Sequence, residues 1–367
     1  HTFAKKINMD FQFTEEQLMI QKAARDFAQN ELKPGVIERD EHQKFPTEQV
    51  KKMAELGFLG MMVDPKYGGS GLDSVSYVLA ITEIAKVDAS AAVIMSVNNS
   101  LVCAGLEKYC NEEQKMKYLV PLAKGEVIGA FCLSEPEAGS DATSQKTTAE
   151  DKGDHYLVNG SKMFITNGTM ADFIVLVVRT GEGHKLSLLI FDTKIEGFSA
   201  VPVHNKLGMH TSDTGQLFFE NCKVPKSALL GEKDFGFYYI MSNFQEERLI
   251  ASITGTASAE HAMEVAKQYM KEREAFGRPI GKFQVLRHKL AKMAITTEAC
   301  RSIAYRAVAE FIEHGPGAYK IVSMAKAFVC EEAFNVVNEA LQIHGGWGYM
   351  EDYGVARSLR DVRLMTV

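Results

Sequence analysis

Residues 244–249 read Phe-Gln-Glu-Glu-Arg-Leu, and in a helix Phe244, Glu247 and Arg248 share one face at i, i+3 and i+4. That sets a carboxylate and a guanidinium beside an aromatic wall. A carboxylate raised in pKa by an apolar, water-poor pocket can accept a proton from a weakly acidic C–H bond. The competing reading of Glu246 and Glu247 is a solvated helix edge. A second pair of runs is Phe131-Cys-Leu-Ser-Glu-Pro-Glu-Ala-Gly-Ser140-Asp and Phe164-Ile165-Thr166-Asn167-Gly168. The first begins extended and turns through Glu-Pro and Ala-Gly. Pro136 fixes one backbone angle and Gly139 frees another, so the chain can approach a flat polar ligand closely. The second puts a ring, a β-branched spacer and a hydroxyl at the end of an apparent strand. Taken singly, either run fits an ordinary hairpin sheet.

The elements that must position these groups fall into three stretches. Thr14-Glu-Glu-Gln17 is a capping box opening a helix, with Leu18, Ala23, Phe27 and Leu32 near helical spacing until Pro34-Gly35. Another helix opens at Phe45-Pro46-Thr47, and a long small-residue stretch runs from Ser74 to Val102. Near Gly125 the period changes to short apolar runs: Phe173 to Val178, Leu186 to Phe191 and Leu217 to Phe219. Tyr156-Leu-Val158 ends in Asn159-Gly160, which reads as a hairpin turn. Long helical segments follow over roughly 236–272, 282–313 and 317–341. The expected architecture is α+β and multi-domain. An N-terminal helical domain covers 1–124, a central β-sheet domain 125–234, and a C-terminal four-helix-bundle-like domain 235–367.

Composition excludes several classes. The net charge is −6, so nothing points to a nucleic-acid partner. The six cysteines are scattered without a CxxC pair and read as buried thiols in a reducing compartment. The histidines show no metal-ligand spacing, so no metal is expected. No apolar run approaches the ~20 residues that span a bilayer. Met9 reads as a natural start behind a polar leader.

Together the two runs resemble the flavin-contacting strands of the acyl-CoA dehydrogenase family. Arg273-Glu-Ala-Phe276-Gly, with Phe283-Gln284 after it, resembles the family's helix-end motif; Gln342-Ile-His344-Gly345-Gly346-Trp-Gly-Tyr349 resembles its glycine turn, and Arg360-Asp361 its last landmark. Each is short, but five in this order across nearly the whole chain are specific. The resemblance implies FAD. Phe131, Leu133, Ser134, Gly139 and Ser140, with Phe164, Ile165 and Thr166, would hold the isoalloxazine ring, Phe164 on its face and Thr166 near N5. Arg273 and Phe276 would lie at the pyrophosphate, where a guanidinium fork suits phosphate oxygens. Phe283, Gln284, Gln342, Gly345 and Gly346 would line the adenosine or pyrophosphate end, partly across a subunit boundary. Taken alone, Arg273 is a solvated cation at a helix end and Gly345-Gly346 a helix C-cap.

The resemblance further implies α,β-dehydrogenation of an acyl-CoA to trans-2-enoyl-CoA, a homotetramer, and electron-transfer flavoprotein as electron acceptor. Many members carry the base in a Tyr-Glu-Gly-Thr-like loop shortly after the Arg-Asp landmark, and such a loop would fall after Val367. Isovaleryl-CoA and long-chain members instead place it before an arginine in Glu-Arg-Leu, which Glu247-Arg248-Leu249 matches. Glu247 is therefore the expected base, with Ser140, Phe244, Gln245 and Arg248 near the acyl-CoA. Ile94 to Ser100 resembles short-chain members instead, which leaves acyl length and branching open. The rival functions are an acyl-CoA oxidase, recognised by peroxide release, and a non-catalytic acyl-CoA-binding flavoprotein. The expected location is a prokaryotic cytoplasm or a mitochondrial matrix.

Overall fold

The structure is a computed structural model that describes residues 12–183 and 185–367; the expected start at Met9 lies outside the described residues. Thr14 and Gln17 form the expected capping box at the head of α1 (Glu15–Phe27). The buried stripe is Ala24, Phe27, Ala28 and Leu32, whereas Leu18 and Ala23 are exposed. Counting back from Phe27 at helical spacing reaches Ala24 and Ile20, which corrects the expected face.

Short helices follow: α2 (Val36–Glu41), α3 (Thr47–Glu55), α4 (Ser74–Ala85), α5 (Ala89–Ser96), α6 (Ala104–Tyr109), α7 (Glu112–Gln114) and α8 (Val120–Ala123). A π-helical turn, Val97–Cys103, fuses α5 and α6 into one helical stretch of 21 residues. By length and composition that stretch could cross a membrane, contrary to the sequence expectation, but 83% of its apolar window is buried inside the fold. It is hydrophobic all round because protein covers it on every side.

The chain then enters an eight-stranded sheet. Its strands are β1 (Gly129–Cys132), β2 (Thr148–Asp151), β3 (His155–Thr166), β4 (Phe173–Arg179), β5 (Leu186–Asp192), β6 (Phe198–Pro202), β7 (Thr214–Pro225) and β8 (Leu229–Leu230). The order is β6-β7-β3-β2-β4-β5-β8, with β1 also on β4. Strands β1 and β2 run parallel to β4 and take successive stretches of one edge, β1 opposite residues 173–176 and β2 opposite Arg179. Loop 133–147 leaves the sheet where they meet. β4 is buried on both faces. Phe173, Val175 and Val177 pack with Val102 and Leu122 of the helices, and Ile174, Leu176 and Val178 pack with Tyr156, Phe191 and Phe219.

The expected hairpin at Asn159-Gly160 does not form. β3 continues through it, and the pairing with β7 slips by a bulge between Val158 and Gly160. Gly160 has φ +145, and a Cβ there would lie 2.6 Å from Thr147 Cα. The glycine is needed for the close approach of Thr147, just before β2, and not for a turn.

Three long helices and a short one close the chain: α9 (Gly236–Glu272), α10 (Gln284–His314), α11 (Tyr319–His344) and α12 (Val355–Arg363). The latter part of α9 (Ala259, Ala262, Ala266) packs with Met293 of α10, Ala333, Val337 and Ala340 of α11 and Val362 of α12. Its middle (Leu249, Ile250, Ile253) shares a core with Tyr77, Ile81 and Ile84 of α4. One helix thus couples the bundle to the N-terminal helices.

Candidate active site

Loop 133–147 is fixed from beneath by a buried ion pair. Lys162, fully enclosed, donates to the Glu135 carboxylate (2.9 Å), the Leu133 carbonyl (3.0 Å) and Gln145 Oε1 (2.6 Å). Glu135 also accepts the amides of Lys146 (2.6 Å) and Thr147 (3.1 Å). Burial pulls the Lys162 amine down to about 8, against the pull of Glu135. Burial also opposes ionisation of Glu135, yet the Lys162 charge and the amide donors hold its carboxyl below the usual range. With the Met163 amide on the Ser134 carbonyl (2.8 Å), both expected cofactor runs become one rigid unit.

The end of β3 carries Phe164 past a second slip in the pairing, between Lys162 and Ile165. Phe164 has φ +60, a left-handed conformation that costs a bulky residue about 1–2 kcal/mol. Its ring remains 64% exposed while Ile165 is buried. Strain and exposure together hold an aromatic face out into a cavity of about 540 Å³. Phe131, Leu133, Ser134, Gly139 and Ser140 supply one wall, and Phe164, Ile165 and Thr166 another. A Cβ on Gly139 would meet nothing within 4 Å, so the chain itself does not need that glycine for space. Across the cavity stand Met241, Phe244 and Arg248 of α9, and Val97 and Leu101 of the π-helical turn.

Glu247 lies on the same stretch of α9, with its carboxylate turned toward the π-helical turn rather than lining the cavity. Ser100 Oγ donates to Oε1 at 2.6 Å, and Ser96 Oγ reaches Oε2 at 3.5 Å. Burial pushes the carboxyl up to about 7, against those two hydroxyls. Burial, followed by the charge of Glu247, pushes Glu246 to about 8, with Lys108 opposing. The solvated-edge reading fails for Glu247, which Ser100 and Ser96 hold, whereas Glu246 is half-buried beside it. Gln245 does not line the cavity. Its Nε2 donates to the Met241 carbonyl of its own helix (3.2 Å), and its buried Oε1 has no partner among the described residues.

A separate cavity of about 640 Å³ sits at the far end of α9, lined by Arg273, Gly345, Gly346, Tyr269, His344 and Trp347 among others. Arg273 caps α9, and Gly345, at φ +59, ends α11. The His344 ring stacks on Tyr269 with centroids 4.2 Å apart, and its Nδ1–H donates to the Ala340 carbonyl at 2.7 Å. Burial pulls its pKa down, against the hydrogen bond to the Ala340 carbonyl. Phe276, Phe283, Gln284 and Gln342 line neither cavity. Phe276 is 94% exposed, edge-on to Phe283 at 6.0 Å.

Sequence reasoning missed Lys162, Glu135 and Gln145 beneath the loop, Ser96 and Ser100 behind Glu247, and Tyr269 in the second cavity. One signal was available: Lys162 falls at the inward parity of β3 shared by Tyr156 and Val158, where an unpaired lysine would be costly.

Models of the acyl-CoA dehydrogenase N-terminal, middle and C-terminal domains match residues 14–126, 130–222 and 234–367. The chain is 40% identical over 98% of its length, and 95% of the relative's, to the short-chain-specific acyl-CoA dehydrogenase of Clostridium acetobutylicum. Among solved structures it resembles butyryl-CoA dehydrogenase from Megasphaera elsdenii, with a TM-score of 0.94, 38% identity, and 98% and 95% of the two chains covered. It also resembles a chain of the structure described as the electron transferring flavoprotein of Acidaminococcus fermentans, with a TM-score of 0.95, 42% identity and the same coverage. Since all three domain models follow in order and relatives match almost end to end, this chain belongs to the acyl-CoA dehydrogenase family.

Proposed function

We propose that this protein dehydrogenates an acyl-CoA thioester to the trans-2-enoyl-CoA, with Glu247 as the base that takes the α-proton and an electron-transfer flavoprotein as electron acceptor. The observation that carries this reading is the half-buried Glu247 carboxylate, held by Ser100 at 2.6 Å on the stretch of α9 whose Phe244 and Arg248 wall the Phe164 cavity, with burial pushing its carboxyl up to about 7. A base of that proton affinity is matched to a weakly acidic C–H at ordinary pH. The family is FAD-dependent, and the residues present fit the cofactor. Gly139 opens onto free space, Phe164 presents a strained, exposed ring, and Ser134, Ser140 and Thr166 offer hydroxyls around it.

FAD when bound supplies the acceptor for the hydrogen leaving Cβ. The chain's own residues do the rest. Phe131, Leu133, Ile165 and Phe164 exclude water and hold the flavin end. Arg273, Gly345 and Gly346 hold the diphosphate. Phe244 and Arg248 border the acyl-CoA, with Ser140 at the CoA arm and Gln245 behind them. We assign residues 1–124, 125–234 and 235–367 as the domains. The six buried free thiols support a reducing compartment, cytoplasmic or mitochondrial.

Purified protein should carry FAD and bleach anaerobically with its acyl-CoA, and Glu247→Gln should bind both ligands yet lose exchange of the substrate α-proton with deuterated water. Normal exchange in Glu247→Gln would remove Glu247 as the base.

A further inference from the structure

A glutamate side chain has three rotatable bonds, so a base of this kind is only as good as whatever fixes its carboxylate. The residues that fix Glu247 come from outside its helix. Ser100 and Ser96 stand one turn apart, their hydroxyls 3.3 Å from each other, and both address Glu247. The turn that presents Ser100 is itself pinned. Asn98 Nδ2 donates to the Leu59 carbonyl (2.7 Å), Asn99 Nδ2 to the Phe58 carbonyl (2.7 Å), and Asn99 Oδ1 accepts the Met61 amide (2.8 Å). All three polar side chains, Asn98, Asn99 and Ser100, are buried. The same turn places Val97 and Leu101 in the cavity wall. Its π-helical widening thus lets one segment line the cavity and support the acid.

We infer that Ser100, seconded by Ser96, is the positioning residue for Glu247: its hydroxyl holds the carboxylate in one rotamer and stabilises the ionised form that accepts the proton. The inference rests on Glu247 being the base. A hydroxyl donor prefers a charged acceptor, so removing it makes Glu247 harder to ionise. The other groups facing this carboxylate are Glu246 on the same helix and Tyr77 from α4, whose buried hydroxyl has no hydrogen-bond partner among the described residues. Arg248 follows on α9, and Lys108 of α6 acts on Glu246. None of these hydrogen-bonds Glu247 in the structure, which leaves Ser100 and Ser96 as its side-chain donors among the described residues.

The test is the pH dependence of flavin reduction in the holoenzyme, by anaerobic stopped flow with saturating acyl-CoA, for the parent, Ser100→Ala, Ser100→Cys, Ser96→Ala and Glu247→Gln. Ser100→Ala should move the rising limb about one pH unit or more toward alkaline, as expected for losing a hydrogen bond to a charged group. Its plateau rate should also fall, with acyl-CoA affinity unchanged. Ser100→Cys, a weaker donor of similar size, should lie between, and Ser96→Ala, at the longer distance, should shift least. Superimposable pH curves for both Ser100 variants, beside a Glu247→Gln enzyme that no longer reduces its flavin, would overturn the inference and leave the base standing. Normal reduction in Glu247→Gln would overturn both. If Ser100→Ala does not fold, the Ser100→Cys and Ser96→Ala curves decide the matter in the same way.

Discussion

The two cavities differ in how far one chain completes them. The Phe164 cavity is walled by the sheet, the N-terminal helices and α9 together, and its loop is locked by a lysine with no solvent exposure. The Arg273 cavity is built from the C-terminal helices and their links alone. Around it Trp347, Tyr349 and Phe276 remain exposed, and Gly345 and Gly346 face open space. Large exposed aromatics beside a cavity are what a protein leaves for another surface to cover. Homotetramers are typical of the family, and an isologous contact would cover the same residues on each subunit. The Phe164 cavity thus draws its walls from three separated parts of the chain, whereas the Arg273 cavity draws on neighbouring C-terminal elements and leaves its aromatics open.

The comparison can be broken at several points. The largest effect should come from Glu247→Gln, which should slow flavin reduction by ~10²–10⁴-fold. In the parent, protonation idles the base below its pKa, so reduction should rise with pH through about 7, as a pH series of reduction rates would show. Next, Lys162→Met leaves the Glu135 carboxylate, the Leu133 carbonyl and Gln145 facing a missing charge. Breaking such a buried pair costs about 3–5 kcal/mol. Denaturant unfolding should show that loss, with FAD lost alongside. Arg273→Ala should behave oppositely, weakening FAD about tenfold by titration while the unfolding midpoint of the apoprotein holds, because its side chain is exposed and outside every ion pair found among the described residues. An Arg273→Ala protein that unfolds as readily as Lys162→Met would erase the distinction between the cavities. Gly345→Ala should cost about 1–2 kcal/mol through backbone strain alone, since a Cβ there meets nothing. Glu246→Gln should change reduction least: with its carboxyl pushed up to about 8, Glu246 is largely protonated at pH 7, and glutamine is a close stand-in for that form.

What the sequence made legible follows from where each signal lives. The three long C-terminal helices were readable because period and breakers are local, and α9 spans Gly236–Glu272 as expected. Phe164, Thr166, Phe244 and Arg248 do share one cavity, because motif order carried them there. Asn159-Gly160 misled because its glycine answers to Thr147, at the end of loop 133–147 and 13 residues away in sequence. Ser100 fell in the stretch that resembles short-chain members, but its contact was invisible for a similar reason: its partner Glu247 is 147 residues away. Lys162 was hidden by the opposite habit, since lysines in strands are ordinarily taken as outward. Long-range pairs of polar groups decide how the site is held, and they leave little trace in local spacing.

The Ala89–Tyr109 stretch has a consequence for synthesis. Its apolar surface finishes against strands β4 and β5 and the start of α9, as Val102 and Leu106 packing with Val175, Leu188 and Ile240 shows. All of those partners leave the ribosome later. For that interval the growing chain displays a segment greasy enough to be mistaken for a membrane anchor. This makes it the region where chaperones would hold the nascent protein and where a stalled or truncated product would first aggregate.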